Sequence, residues 1–451
     1  MENFTAVTID HDDPERLLNE HVAALAVRGH GAALLLVQYR FKPYWLGVDA
    51  EALALGALYF LSLGPAGPQL KVAVSSAPEV LLTALKQAEL VPSEGGYQQF
   101  CRNQGLPTFS PEAMLMLSPV AIPKPWGQEI WYTGIEQRGV ANACSGGLLT
   151  PLPLLLSALP RGFCNRRQQS LVLLKTLDPL ADRDRGDLYF ELHQYKREVY
   201  VVTAIDAQCW PEGRGAIRFG CDQEQRRQYP DDGQFRAAFL AAIKAYENVR
   251  RKLDNDHGES AEAIDVTLAQ RDQWRAEEVR LRGIMESFSA SLSLGLGDVV
   301  KVPCLTPHSL QHGVRTIEFQ TPVYERLIIS FNQQVQTQGH WDSEAAMALM
   351  NLESVVQEAS VTLMDEAGLT VQRIVAFDDF EVLRVHLSVG RDFRPVDIVD
   401  YCLLVAITGE LSVAGESLLP EQAALLAAAS NGIEITPARG ESACFLLAYP
   451  K

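Results

Sequence analysis

Between about residues 116 and 232 the chain is written in short β-branched and aromatic runs, "SLVLLKTL", "LYFELHQY", "REVYVVTAI" and "GAIRFG", each cut off by Gly, Pro or Asp. Closely spaced strands without long helices between them argue for an all-β sandwich or barrel. The period then switches. In "GQFRAAFLAAIKAYENVRRKL" the residues Phe235, Phe239, Ile243, Tyr246, Val249 and Leu253 fall at intervals of three and four, an amphipathic stripe. A second helix is expected over roughly 261 to 286, carrying Ile264, Leu268, Val279 and Leu281, with the polar turn "DNDHGES" between the two. Because "GDVVKVP" and "RTIEFQ" resume the strand pattern directly afterwards, this helical hairpin is an insertion between two groups of strands.

The length, 451 residues, is too great for one ordinary core and suggests about three domains. Residues 1 to about 115 read as a separate α/β unit, with "GAALLLVQYRF" and "QLKVAVSS" as strands and "PEVLLTALKQAEL" as a helix opened by Pro78. Gly29 and Gly31 make no dinucleotide fingerprint, since the third glycine and the downstream acidic residue are missing. After a helix around "DSEAAMALMNLESVVQEA", a final β-rich segment follows, in which "TGELSVAGE" is the clearest strand–turn–strand signal. The fold class expected is therefore mainly β with α insertions. Its parts would be an N-terminal α/β domain over 1–115, a first barrel over 116–232 and 286–340, the helical insertion over 233–285, and a second barrel over 341–451.

A formal charge of -17 disfavours nucleic acid and anionic membranes as partners, since both need a basic surface. Any anionic substrate must be held by a local basic pocket. The start, "MENFTAVTIDHDDPERLL", lacks a basic stretch followed by an apolar one, so no secretion signal is expected. The longest apolar run, "EALALGALYFLSLGPAGP", is ended early by Gly64, Pro65, Gly67 and Pro68 and is too short to span a membrane. Eight scattered cysteines without a CxxC suit reduced, mostly buried thiols, and the chain reads as cytosolic.

One stretch carries chemistry. In "YFELHQYKREVYV", Glu191 and His193 are two apart, so on a strand both side chains leave the same face. Glu198 would join them from a partner strand across a tight turn at Gln194 and Tyr195. An ordinary exposed hairpin with alternating charges and one satisfied histidine is the competing reading. The later stretch "GDVVKVPCLTPH" adds a Gly-Asp turn, a short strand, a proline-bounded turn and His308. Together the two stretches resemble the paired signatures of the cupin barrel, which is a jelly roll. Two imidazoles and two carboxylates suit zinc, or less specifically Fe(II), Mn or Co.

Read in order, "PKPWGQEIW", "LVLLKTLDP", "ELHQYKREVYVV", "VPCLTPHSL", "GVRTIEFQTPVYERLI" and a terminal segment ending "LLAYP" resemble the type I mannose-6-phosphate isomerase family. The resemblance covers roughly residues 120 to 451, including the helical insertion and a metal-free second barrel. Residues 1 to 115 lie outside it, so the chain looks like a divergent member with an extra domain. The resemblance implies a metal bound by Glu191, His193, Glu198 and His308, with Lys196, Glu318 and Arg326 as catalytic groups. It also implies a sugar phosphate held by Lys175 and Arg326, and aldose–ketose isomerisation through an enediolate. Lys124, Pro125 and Trp126 are read as a structural turn, and His312 as a rim or supporting group.

Several positions depart from the family pattern. Glu191 stands where the family has a neutral glutamine, which makes the site more anionic. Tyr189 replaces a serine expected at the phosphate, Gln194 a proline, and Pro322 an aspartate. The expectation is a kept metal site and an altered phosphate site. Two other readings stay open: a non-catalytic sugar-binding or regulatory cupin, and an isomerase or epimerase for another sugar.

Overall fold

The computed structural model describes residues 4–451 except 29–30, 48, 65–66, 162–169, 258–266, 332–339 and 439. The chain divides into two compact units. One comprises Met1–Val120, Trp131–Leu174 and Ser360–Lys451, the other Ala121–Ile130 and Lys175–Ala359. The architecture is mainly β with α insertions, as the patterning implied.

The second unit holds the chemistry-bearing stretches. It contains a six-stranded sheet in the order Val299–Val302, Glu198–Ile205, Val314–Gln320, Leu173–Pro179, Gly127–Trp131, Val120–Lys124. A five-stranded sheet runs Ser289–Leu294, Gly215–Cys221, His308–Leu310, Phe190–Leu192, Leu327–Ser330. Their inner faces meet, because His308 on the second sheet touches Glu198 on the first.

Glu191 and Glu198 therefore lie in different sheets, which corrects the expected hairpin. The strand Phe190–Leu192 pairs with His308–Leu310 and Leu327–Ser330 and not with the strand that follows it. Between them the chain crosses from one sheet to the other. Its corner amides find partners outside the ladder: Gln194 and Tyr195 N–H donate to the Glu325 carboxylate, and Arg197 N–H to Thr321 Oγ1.

The helical insertion begins with Asp232–His257, and its whole predicted stripe from Phe235 to Leu253 is buried. Phe239 stacks on Phe288 at 4.8 Å, and Tyr246 packs on Trp341. The second helix, Leu268–Glu286, starts on a Thr267 capping box. Its predicted stripe is wrong in part: Leu268 and Val279 are exposed, and Ile264 lies outside the described residues. The packed face carries Trp274, Leu281, Met285 and a buried Glu278, which is satisfied by Tyr246 and Arg282. A third helix is only Ser343–Leu349. It ends where Asn351 N–H donates to Leu305 O across the unit.

In the first unit, the strand Thr5–Thr8 runs parallel to Ala32–Phe41, which continues antiparallel into Leu53–Gly64 and Gly67–Ser75. The apolar run around residue 58 is thus a central strand, buried from Leu55 to Leu61. Helices Pro78–Gln87 and Glu94–Asn103 contribute Leu81, Leu85, Tyr97 and Phe100 to the core against it.

The same unit carries a nine-stranded sheet. Seven neighbours run in the order Leu369–Ala376, Phe380–Leu387, Ala443–Pro450, Tyr401–Thr408, Ala423–Ala427, Leu115–Ser118, Asn142–Ser145, with Val361–Glu366 and Leu148–Pro151 at the edges. The expected hairpin is present as Leu411–Val413 paired with Glu416–Leu418. Its turn residues Ala414 and Gly415 both have positive φ, 50° and 90°, the geometry that a two-residue loop needs to match strand twist. Among the described residues no helix is long and apolar enough to cross a membrane.

Candidate metal centre

Alternation along the strands aims Glu191, His193 and His308 at one point. One ligand atom from each of the three lies within 4.8 Å of the others, although they come from positions up to 117 apart in the chain. His193 is 1% exposed and His308 2%, which removes the reading of an exposed hairpin. Their rings stand edge to face at 5.2 Å.

Both imidazoles are oriented in the same manner. His193 Nδ1 faces the Glu325 carbonyl at 3.0 Å and His308 Nδ1 faces the Thr306 carbonyl at 3.0 Å. A carbonyl can only accept, so each Nδ1 carries the proton and each Nε2 points inward. His193 Nε2 lies 3.7 Å from Glu191 Oε1 and 3.4 Å from Glu198 Oε1, yet makes no hydrogen bond. Glu191 Oε2 is likewise buried without a partner. Two buried polar atoms without partners, in one cluster of imidazoles and carboxylates, fit a divalent cation.

Glu198 is held from three sides. Lys196 Nζ lies 2.8 Å from Oε1, while Tyr200 Oη donates to Oε2 at 2.5 Å and His308 Nε2 lies 3.1 Å from the same oxygen. Burial would raise its pKa, but the Lys196 charge and the His308 hydrogen bond hold it well below the carboxylate range. Burial, then the Lys196 charge, push His193 well below its usual value, so it is neutral and able to ligate. For His308 burial acts downward, and the bond to Glu198 outweighs it.

Beyond Glu198 the six-stranded sheet carries a row of charges on neighbouring strands. Glu318 Oε2 lies 3.2 Å from Lys175 Nζ, Lys175 3.9 Å from Glu129, and Glu129 3.4 Å from Lys124. Burial and the Glu198 charge raise the Glu318 carboxyl well above its ordinary range, against Lys175. Two neighbouring carboxyl groups are thus driven in opposite directions, Glu198 down and Glu318 up.

Arg326 lies over the Tyr189 ring at 5.0 Å and near the Tyr324 ring at 5.9 Å. Burial pushes the Tyr189 phenol up to about 12. His312, read from the sequence as a rim or supporting group, is bound to Asp187 at 2.7 Å and stacked on Trp210.

Every candidate site residue thus falls inside one unit, and three groups were missed. Tyr200 is two residues past Glu198, so period two was signal enough. Glu129, given no reading, and Lys124, read with Pro125 and Trp126 as a turn, form a buried ion pair that a charged residue at an inward strand position could have announced. Glu325 had no local signal, because its partners lie about 130 positions away.

No protein-family model matches the chain, and no curated protein matches it. Solved structures do. A mannose 6-phosphate isomerase from Bacillus subtilis superposes with TM-score 0.52 at 13% identity, covering 75% of this chain and 99% of that one. A variant of the phosphomannose isomerase from Salmonella typhimurium gives TM-score 0.55, and a zinc-bound mannose 6-phosphate isomerase gives 0.54, each at 13% identity and the same coverage. At that identity the likeness establishes a shared fold.

Proposed function

We propose that the chain is a divalent-metal-dependent aldose–ketose isomerase, with mannose 6-phosphate to fructose 6-phosphate as its reaction, built on two cupin barrels. The observation that carries this is the convergence of half-buried Glu191 with buried His193 and His308, with Glu198 against both imidazoles. These four would hold zinc or a similar cation. When bound, the cation would supply Lewis acidity toward the sugar's carbonyl and hydroxyl oxygens.

The chain's own groups suit the proton transfers. Isomerisation moves a proton between C1 and C2 and loads negative charge on the flanking oxygens. Glu318, whose carboxyl is pushed toward the protonated form and whose Oε1 makes no hydrogen bond, suits proton exchange with such an oxygen. Lys196, fixed on Glu198, borders the same space. Arg326 stays charged and offers a planar fork to a phosphate or an enediolate, with Lys175 as a second cation. A reducing, cytosolic setting fits the seven described cysteines, all free.

One observation favours a related second reading. The Tyr189 ring covers a face of Arg326, which narrows the space for a phosphate and suits an isomerase or epimerase of another sugar. A coupled assay of mannose 6-phosphate conversion, on zinc-loaded and chelated protein, separates the two. Metal-dependent turnover supports the first reading. No turnover with the phosphate ester, but turnover of unphosphorylated sugars, supports the second, and inactivity on both overturns the enzyme proposal in favour of a binding role.

A further inference from the structure

The sheet-to-sheet crossing at 193–197 poses a problem that Glu325 solves for its first two amides, those of Gln194 and Tyr195. A chain that turns between two layers leaves backbone amides without ladder partners, and here those amides belong to the corner that immediately follows His193. Glu325 takes them. Its carboxylate accepts from Gln194 N–H at 3.0 and 2.9 Å and from Tyr195 N–H at 3.2 Å. Its own backbone carbonyl accepts the Nδ1 proton of His193.

Both ends of one residue thus grip one corner. The carbonyl fixes which nitrogen of His193 is protonated and so leaves the Nε2 lone pair facing Glu191 and Glu198. The carboxylate fixes the backbone from which that ring hangs. The next residue is Arg326, whose guanidinium lies over Tyr189, two residues before Glu191. A second clamp, Leu305 N–H to His193 O at 2.6 Å, arrives from the loop that ends at His308. Leu305 adopts φ 64°, a left-handed conformation that a leucine holds only under constraint.

We infer that Glu325 is a positioning residue that sets His193 for metal binding and Arg326 for substrate in one stroke. This rests on the metal-centre reading above. Partners that orient metal ligands typically change affinity by about 10–100-fold when removed. Acceptance by a side-chain oxygen is the operative feature, since Oε2 alone accepts from both Gln194 and Tyr195 N–H, a pattern that a single amide oxygen can reproduce.

The test is cobalt(II) and zinc affinity of the full chain for wild type, Glu325→Leu and Glu325→Gln, with the cobalt absorption spectrum and the melting temperature recorded alongside. The leucine variant is expected to lose about 10–100-fold in affinity and to show an altered cobalt spectrum. The glutamine variant, which keeps one acceptor oxygen, should recover most of it. Leucine-variant affinity within about twofold of wild type overturns the inference, and equal losses in both variants overturn it by assigning the effect to charge. Should the leucine variant fail to fold, Glu325→Asp withdraws the oxygens by one methylene and should show the same loss; wild-type affinity there overturns the inference. A wild-type chain that takes up neither metal overturns the metal-centre reading itself, a distinguishable failure.

Discussion

Two β-layered regions of this chain use their interiors in opposite ways. The paired sheets of residues 175–359 bury His193, Lys196, Glu198, His308 and Glu318. The nine-stranded sheet, six of whose strands come from residues 360–451, buries Leu404, Ala406, Leu426, Phe445 and Leu447 at its centre, and the polar residue buried among the described residues of that segment is Ser430. Charges inside a protein cost several kcal/mol each unless paired, whereas aliphatic packing stabilises at about 25 cal/mol per Å² buried. A fold that can be filled with leucine and yet keeps two imidazoles and several carboxylates in one of its regions does so for a use other than stability.

That contrast can be broken from either side. The largest effect is expected for His308→Ala, which removes a ligand and leaves Glu198 short of a partner: metal uptake should be lost, read as metal per chain after dialysis. Arg326→Ala should cut turnover by about 100-fold or more, as for loss of a charge-stabilising donor, with metal content unchanged. In the apolar region, Phe445→Ala should cost about 3–5 kcal/mol in denaturant unfolding while the folded fraction keeps wild-type metal affinity. An equal fall in affinity would show that the two regions are not separable in role.

The smallest effect concerns pH. Glu318 has a raised pKa in the folded chain, so the folded state binds more protons than the unfolded one above the ordinary carboxylate pKa of about 4.3. Stability therefore falls as pH rises from there toward the folded pKa. Glu318→Gln removes that loss, so its melting temperature should match wild type near pH 4 and exceed it increasingly toward pH 8. A constant difference across that range would remove Glu318 from the proton-holding role.

The comparison also explains what could be read from the sequence. Glu191 with His193 was legible because period two puts both on one face, and the stripe from Phe235 to Leu253 because a helix packed on one side needs it. The corner after His193 was not legible, since its amides are satisfied by Glu325, far along the chain. Nor was the buried face of the second inserted helix: Glu278 looks like surface until Tyr246 and Arg282 are seen against it. Nor did the sequence hint that Leu115–Ser118, at the boundary drawn between two domains, would pair as a strand with Ala423–Ala427, about 300 residues later. Local periodicity fixes which face is buried; which element covers it is decided at long range.

The most direct test of the central claim is the anomalous scattering of a zinc-soaked crystal. The account predicts one peak per chain among Nε2 of His193, Nε2 of His308 and the carboxylates of Glu191 and Glu198. A structure at full zinc concentration with that interior empty, or with the peak at surface residues alone, would contradict it.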